Sequence, residues 1–187
     1  MAAARAAPEV PAGTVYTIGH STLPIERFVA MLQAQSVDAV ADIRTVPRSR
    51  HNPQFGAEAL AASLADHRID YVGMPELGGL RRPRADSPNG AWRNLNFRGY
   101  ADYMQTAAFA AAVDGLVADA RRRRVALMCA EAVPWRCHRS LVADALLARG
   151  VPVLEIMPGG GTRPHRMTPF ARVEGTRVDY PALDAGH

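Results

Sequence analysis

The sequence predicts an α/β domain: a mostly parallel sheet of about five strands with helices on both faces, a long loop insertion and an extended C-terminal tail. Three observations predict this fold. Short apolar, β-branched segments alternate about five times with longer segments of helical period. Glycine and proline punctuate the chain between them, and the length of 187 residues suits one domain. Such alternation favours parallel strands joined by right-handed crossovers.

Five segments have the β-branched and apolar composition of buried strands. They are residues 14–19, 37–43, 69–74, 125–129 and 151–156. Apolar residues that recur with helical spacing predict the helices between them, as Ile25, Phe28, Val29 and Leu32 do after Pro24. Further helices are predicted over residues 56–67, from 100 to the arginine cluster at 121–124, and over 137–149.

The chain divides into three parts and carries one insertion. We expect residues 1–12 to be a disordered N-terminus, 13–157 to be the single α/β domain, and 158–187 to be a flexible tail with a short hairpin near 170–180. Residues 75–98 are rich in Gly, Pro, Arg and Asn without an apolar period, which predicts a long loop. Loops of that length in compact domains are usually functional or disordered.

Composition limits the classes of protein and partner. The net charge is +4 and every basic residue is arginine, which allows an anionic small molecule or a nucleic acid as partner. Two cysteines are too few for a disulfide framework, so we expect a reducing, cytoplasmic environment. No apolar stretch is long enough to span a membrane. The cofactor and the oligomeric state stay open.

Polar side chains gather just after the predicted strands, at the sheet edge where open α/β sheets bind ligands. A carboxylate, thiol or imidazole in such a crevice can transfer protons or act as a nucleophile. The candidates for catalysis are Asp42, Glu131, Cys137, His138 and His20. The candidates for binding an anionic substrate are Ser21, Arg44, Ser49, Gly78, Gly79, Tyr103, Arg136 and Arg139.

Several of these residues also have a structural interpretation. Cys137 at a helix start is favoured as a thiolate and is expected to be the more reactive thiol, but it could equally be a small buried hydrophobe. Burial is favoured for Cys129. Asp42 could form an ion pair with Arg44 or cap a turn, and Ser21 is better explained as a helix cap than as a nucleophile.

Three alternatives to an enzyme that acts on an anionic substrate remain. A nucleic-acid-binding module would use the loop at 80–98, with Trp92 and Phe97 for stacking. A cysteine phosphatase or sulfurtransferase would use Cys129 and Arg136, although six residues separate them against five in the phosphatase pattern. A metal site at Cys129, Cys137 and His138 is disfavoured, because adjacent residues rarely chelate one ion together.

Five motifs together resemble one bacterial family. They are TIGHS at 17–21, ADIRTVPRS at 41–49, ELGG at 76–79, FRGYADYM at 97–104 and CAEAVPWRCHR at 129–139. In this order they are similar to the family catalogued as domain of unknown function 488, over about residues 14–157. The resemblance implies a compact cytosolic bacterial α/β protein with no established reaction. It supports the site residues, Tyr100 and Tyr103 among them, and does not identify the chemistry.

Overall fold

The computed structural model describes residues 9–183 and is built on a six-stranded sheet. Its strands are β1 Val15–Gly19, β2 Ala39–Asp42, β3 Asp70–Gly73, β4 Val125–Cys129, β5 Val153–Ile156 and β6 Thr162–Pro164. Their order is β3-β2-β4-β1-β5-β6, and only the β5 to β6 pairing is antiparallel. The predicted α/β fold with a mostly parallel sheet is confirmed. Most of the predicted disordered N-terminus, residues 1–8, lies outside the described residues.

Five helices accompany the sheet within the described residues. They are α1 Ile25–Ala34, α2 Ala57–Ala65, α3 Leu95–Tyr103, α4 Ala107–Ala120 and α5 Arg139–Ala148. The helical segment that the sequence predicts from residue 100 onward is two helices, because the Thr106 hydroxyl caps α4 by accepting the Phe109 N–H at 3.2 Å. None of the helices described is long and apolar enough to cross a membrane.

The sheet has a separate apolar core on each face, because side chains alternate along every strand. In β4, Val125 and Leu127 belong to one core and Ala126 and Met128 to the other. The first core is completed by α3, α4 and α5, and the second by α1 and α2. The helices therefore cover both faces of the sheet, as predicted.

Adjacent strands β1 and β4 lead into helices on opposite faces of the sheet. They pair in parallel, with Gly19 beside Cys129 at their carboxyl ends. From there α1 follows β1 toward one core, and α5 follows β4 toward the other. In the same way α2, which follows β2, and α5, which follows β4, lie on opposite faces. Such divergence leaves space at the carboxyl edge, where doubly wound sheets bind ligands.

The long loop and the tail pack on one another. Trp92 in the loop stacks on Phe97, with ring centroids 4.8 Å apart, and meets Tyr180 edge to face. In the tail, β7 Arg172–Glu174 and β8 Arg177–Asp179 form the hairpin expected near residues 170–180. Tyr180 then lies fully buried, which ties the tail to the domain.

Candidate functional site

A cavity of about 410 Å³ opens at the carboxyl edge of the sheet, beyond the ends of β2 and β4. We call it the rim cavity. Its ionisable lining residues are Arg44, Arg48, Cys129, Glu131, Arg136, Cys137 and His138. Its size falls in the range of small-molecule sites, roughly 300 to 1,000 Å³.

The lining of the rim cavity is positively charged. Arg48 and Arg136 are both exposed, and neither forms an ion pair within the part of the chain that the structure describes. The only carboxylate in the lining is Glu131, which is also exposed. Unpaired guanidinium groups attract and orient anionic ligands. The cavity is therefore suited to an anionic molecule.

Asp42 does not face the cavity directly but fixes the arginine that does. Its carboxylate accepts hydrogen bonds from the Arg44 Nε at 2.9 Å and Nη2 at 2.6 Å, and from the Tyr71 hydroxyl at 2.6 Å. Burial, followed by the hydrogen bond to Asp42, raises the pKa of Tyr71 to about 12. With its oxygens occupied, Asp42 acts as the anchor of Arg44 in this arrangement.

His20 supports the same arginine from the end of β1. Its Nδ1 lies 2.8 Å from the Ser21 carbonyl oxygen, and its Nε2 lies 3.4 Å from Arg44 Nη1. A guanidinium can only donate, so Nε2 accepts and the proton is on Nδ1. Burial lowers the pKa of His20, which stacks on Phe55 at 4.3 Å between centroids. His20 is therefore a neutral, buried acceptor for Arg44.

The two cysteines meet at the floor of the rim cavity. Cys129 ends β4, Cys137 precedes α5, and their sulfur atoms are in contact. Their Cα atoms are 7.4 Å apart, however, beyond the roughly 4.4 to 6.8 Å that a disulfide spans. We therefore describe the pair as two neighbouring thiols.

Arg139, the first residue of α5, lies directly behind Cys129. Its side chain is completely buried, and Nη1 donates to Cys129 Sγ at 2.7 Å and to the Glu131 carbonyl oxygen at 2.6 Å. Nη2 donates to the Ala132 carbonyl oxygen at 3.2 Å, while Nε has no partner among the described residues. Burial lowers the pKa of Arg139 to about 10. The buried Arg139 guanidinium thus contacts a cysteine sulfur and has no carboxylate within ion-pair distance among the described residues.

His138 lies beside Cys137 with a defined proton position. Its Nε2 lies 3.1 Å from the Ile43 carbonyl oxygen, so that nitrogen carries the proton and Nδ1 is an acceptor 3.6 Å from Cys137 Sγ. Burial lowers the pKa of His138 to about 4, so the ring is neutral at pH 7. Neutral Nδ1 can accept the Cys137 S–H, while the Arg139 backbone N–H approaches the same sulfur at 3.4 Å.

Two glycines allow the loop after β3 to pass close to this site. A Cβ at Gly79 would overlap the His138 ring. A Cβ at Gly78 would overlap Thr45, whose hydroxyl accepts the Leu80 N–H at 3.3 Å. Because Gly78 and Gly79 have no side chains, the backbone of this loop can pack directly against Thr45 and His138 and form part of the cavity wall.

The structure brings together most of the residues that the sequence singled out. Those in the cavity lining are Arg44, Gly79, Glu131, Arg136, Cys137 and His138. One layer behind them, and hydrogen-bonded to the lining, are His20, Asp42 and Arg139.

The other four predicted residues lie outside the lining as well. The Ser49 hydroxyl accepts the Asn52 N–H at 3.0 Å, and the Tyr103 hydroxyl donates to the Glu76 carbonyl oxygen at 2.7 Å. Ser21 holds His20 through its carbonyl group, and Gly78 packs on Thr45. Their contacts in the structure are with the protein itself.

One wall of the rim cavity comes from the loop at 80–98, which the sequence assigned only to the nucleic-acid-binding alternative, with Phe97 for stacking. Asn94, Asn96 and Phe97 line the cavity from the start of α3, and Leu80 lines it from the preceding loop. Asn94 and Asn96 were not predicted, because the length and composition of the loop do not indicate which of its residues face the strand ends. Leu80 is 75% exposed, so part of this wall is apolar surface open to solvent.

Within residues 9–183, no group of three or more His, Cys, Asp or Glu side chains is arranged to hold a metal ion. The two thiols and the His138 ring lie together, but Nε2 of that ring is engaged by the Ile43 carbonyl group. We assign no metal to the rim cavity.

Comparison with known proteins identifies a family and nothing more specific. No curated protein and no solved structure matches the chain. The family described as "Domain of unknown function DUF488" matches residues 24–146, from the start of α1 to the last turns of α5, and so includes every ionisable residue of the rim cavity. The chain belongs to the DUF488 family, as its motifs predicted.

Proposed function

We propose that this protein is a thiol-dependent enzyme that acts on a small anionic substrate in the rim cavity, with Cys129 as its nucleophile. The observation that carries the proposal is the contact between Cys129 Sγ and the buried Arg139 guanidinium, at 2.7 Å. A cysteine acts as a nucleophile in its thiolate form, and a neighbouring cation stabilises that form.

The charge of Arg139 supports a thiolate more strongly than proximity alone. Removing a guanidinium from water without an anionic partner costs several kcal/mol. The Arg139 side chain is 0% exposed, and no carboxylate lies within ion-pair distance of it in the described part of the chain. Cys129 Sγ is the one contacting group that can become an anion. Glu155 and Glu131 act on the guanidinium only from beyond ion-pair distance. Deprotonation of Cys129 would therefore place an anion in direct contact with this buried charge.

Cys137 has a different environment, which supports a different role. Its sulfur faces Nδ1 of the neutral His138 ring rather than a guanidinium. An S–H that donates to His138 is favoured as the neutral thiol, because the imidazole accepts only while the thiol keeps its proton. We therefore assign the reactive thiolate to Cys129 and a proton-holding role to Cys137, whereas the sequence alone favoured Cys137 as the reactive thiol.

The cations at the cavity mouth support an anionic substrate. Arg48 and Arg136 are free to pair with it, while Arg44 is held in place by Asp42. In the proposed step, Cys129 Sγ forms a bond to an electrophilic atom of the bound anion. The bond from that atom to its leaving group breaks, and the leaving group takes a proton from the Cys137 thiol. Water then cleaves the bond to sulfur, returning one proton to Cys137 and the thiolate to Cys129.

Two features bear on the alternatives. In the cysteine phosphatase pattern the thiolate is contacted by the loop arginine, but here the contact comes from Arg139 rather than Arg136. Trp92 and Phe97 stack on each other, which supports a role in anchoring the loop more than a free surface for bases.

We also propose that the protein works in reducing, cytoplasmic surroundings, where both sulfurs persist as thiols.

Alkylation by two reagents of different charge tests the proposal. Iodoacetate is an anion and iodoacetamide is neutral, so their rates at Cys129 report the thiolate and the positive cavity separately. We expect iodoacetate to label Cys129 faster than iodoacetamide, and Arg136→Ala to slow only iodoacetate, by about tenfold for a lost charge contact of about 1.4 kcal/mol. Arg68→Ala, an exposed arginine at the opposite edge of the sheet, serves as control. Equal or faster labelling by iodoacetamide would argue against an anion site, and preferential labelling of Cys137 would argue against the assigned nucleophile.

A further inference from the structure

A second cavity, of about 670 Å³, lies between the C-terminal tail and the core. We call it the tail cavity. The tail lines it with residues 163–166, 168 and 169, and the rest of the domain contributes Trp92, Trp135, Ser140 and Glu155. None of the residues assigned to the proposed reaction lines it.

Both tryptophans of the chain line the tail cavity. Trp135 is 58% exposed, which is unusual for the largest apolar side chain. The Arg163 guanidinium carbon lies 5.2 Å from its ring centroid, so one face of the indole already interacts with a cation. The Trp92 Nε1 has no hydrogen-bond acceptor among the described residues, but it is shielded from solvent and so is not open to a ligand. The cavity therefore offers the open indole surface of Trp135.

The charged residues of the tail cavity leave one cation without a partner. Arg163 donates to Glu155 at 2.6 Å, and His165 is held between Glu155 and Asp144 at 2.7 and 2.8 Å. Arg166 is exposed and forms no ion pair within the described part of the chain. An unpaired guanidinium beside aromatic surface binds phosphate and planar rings, because it can both pair with an anion and stack.

We propose that the tail cavity binds a nucleoside monophosphate, with the base against Trp135 and the phosphate on Arg166. A planar base matches the indole surface, because every base has a flat face that stacks on an aromatic side chain. The volume is sufficient for a ligand of this size.

This site is separate from the rim cavity but adjoins it through one turn. Trp135 is flanked by Pro134 and Arg136 in a 3-10 turn, and Arg136 lines the rim cavity. Ser140, on the tail-cavity side, donates to the Cys137 carbonyl oxygen at 2.9 Å. A nucleotide against Trp135 would thus contact the segment that holds Cys137, although its binding does not depend on the proposed reaction.

Intrinsic fluorescence tests the proposal directly, since the only two tryptophans lie at the site. Adenosine monophosphate is titrated into the full chain, with adenosine and inorganic phosphate titrated separately. We expect saturable quenching by the nucleotide. Binding should be at least about tenfold weaker for adenosine and for Arg166→Ala, because each lacks one partner of the charge-assisted contact between phosphate and guanidinium. The matched control Arg68→Ala should bind like the wild type.

The outcomes separate this proposal from the reaction proposed for Cys129. Cys129→Ser should bind the nucleotide with unchanged affinity, whatever its effect on thiol chemistry. Absence of saturable quenching, equal affinity for adenosine, or unchanged affinity in Arg166→Ala would each overturn the proposal. Inorganic phosphate that competes as strongly as the nucleotide would also overturn it, because the base would then contribute nothing.

Discussion

His165 joins two buried carboxylates, and its removal should destabilise the protein in a pH-dependent way. Its Nδ1 lies 2.7 Å from Glu155 Oε1 and its Nε2 lies 2.8 Å from Asp144 Oδ1. The histidine side chain is only 5% exposed. Asp144 also accepts the Tyr180 hydroxyl at 2.7 Å and the Thr168 N–H at 3.1 Å. The protonated ring therefore links β5, α5 and the tail.

The magnitude follows from the pKa of His165. Burial lowers this pKa, but the hydrogen bonds to Asp144 and Glu155 outweigh burial and raise it to about 9 from the ordinary value of 6.5. A difference of one pKa unit corresponds to about 1.4 kcal/mol, so the protonated ring contributes about 3 kcal/mol. Because the folded-state pKa is raised, this stability is fully present below about pH 6.5 and is lost as pH rises through about 9.

Chemical denaturation between pH 6 and 10 checks this prediction with the variant His165→Gln. At pH 7 the variant leaves buried Asp144 without a cation and Glu155 with only Arg163, and should lose about 3 to 5 kcal/mol of unfolding free energy. The difference between wild type and variant should shrink as pH rises toward 10. Tyr180→Phe is the control, since it removes one hydrogen bond to Asp144 but keeps His165, and should retain the pH dependence of the wild type. Parallel pH profiles for the wild type and His165→Gln would refute the reasoning.

Three further predictions concern the site and the helices. Asp42→Asn should lower the unfolding free energy by about 3 to 5 kcal/mol in denaturant titrations, because Arg44 loses its buried partner. Tyr71→Phe, which removes one hydrogen bond to Asp42, should lower it by only about 1 kcal/mol. Equal losses in the two variants would show that the ion pair is not the main contribution. Gly79→Ala should destabilise the protein by about 1 to 3 kcal/mol and shift the His138 ring resonances in NMR spectra, because the new methyl group overlaps that ring. Unchanged His138 resonances would argue against this packing. Gly115→Ala within α4 should instead stabilise the protein by about 0.5 to 1 kcal/mol and so raise its melting temperature, because nothing lies within 4 Å of the new Cβ. A lowered melting temperature would count against an open position there.

The fold was predictable because local pattern and tertiary structure agree. The buried strands β1 and β4 are continuous apolar runs, and α1 carries the expected apolar face. The strand order was not predictable, since periodicity does not say which strands are neighbours. β6 was also missed, because Thr162–Pro164 is exposed and has no apolar period. It joins the sheet by pairing with β5 through its backbone.

The site was predictable in location more than in chemistry. Residues after β1, β2 and β4 converge because parallel strands end at the same edge. The sequence could not show that Arg139 turns back to contact Cys129, since ten positions separate them and the contact depends on where α5 begins. Nor could it show that Asp42 is occupied by Arg44 and Tyr71.

The tail cavity and its charged network were missed entirely, although the sequence holds a signal for them. Asp144 interrupts the apolar face of α5, and Glu155 interrupts the apolar strand β5. Buried charges require partners, so two carboxylates in apolar segments indicate a distant cation. His165 supplies it from the tail.

The ionisation of Cys129 tests the central claim most directly. In Cys137→Ser, which keeps Arg139 and leaves one thiol, the rate of iodoacetamide alkylation is followed against pH, with the ultraviolet absorbance of the thiolate as a second readout. Contact with the buried guanidinium predicts that Cys129 reacts as a thiolate at neutral pH, so its alkylation rate should stay nearly constant as the pH falls from about 9 to about 7. A rate that falls by more than about tenfold over this range, as it does for an ordinary thiol with a pKa of about 8.5, would show that Arg139 does not stabilise a thiolate. The proposed nucleophile would then be contradicted.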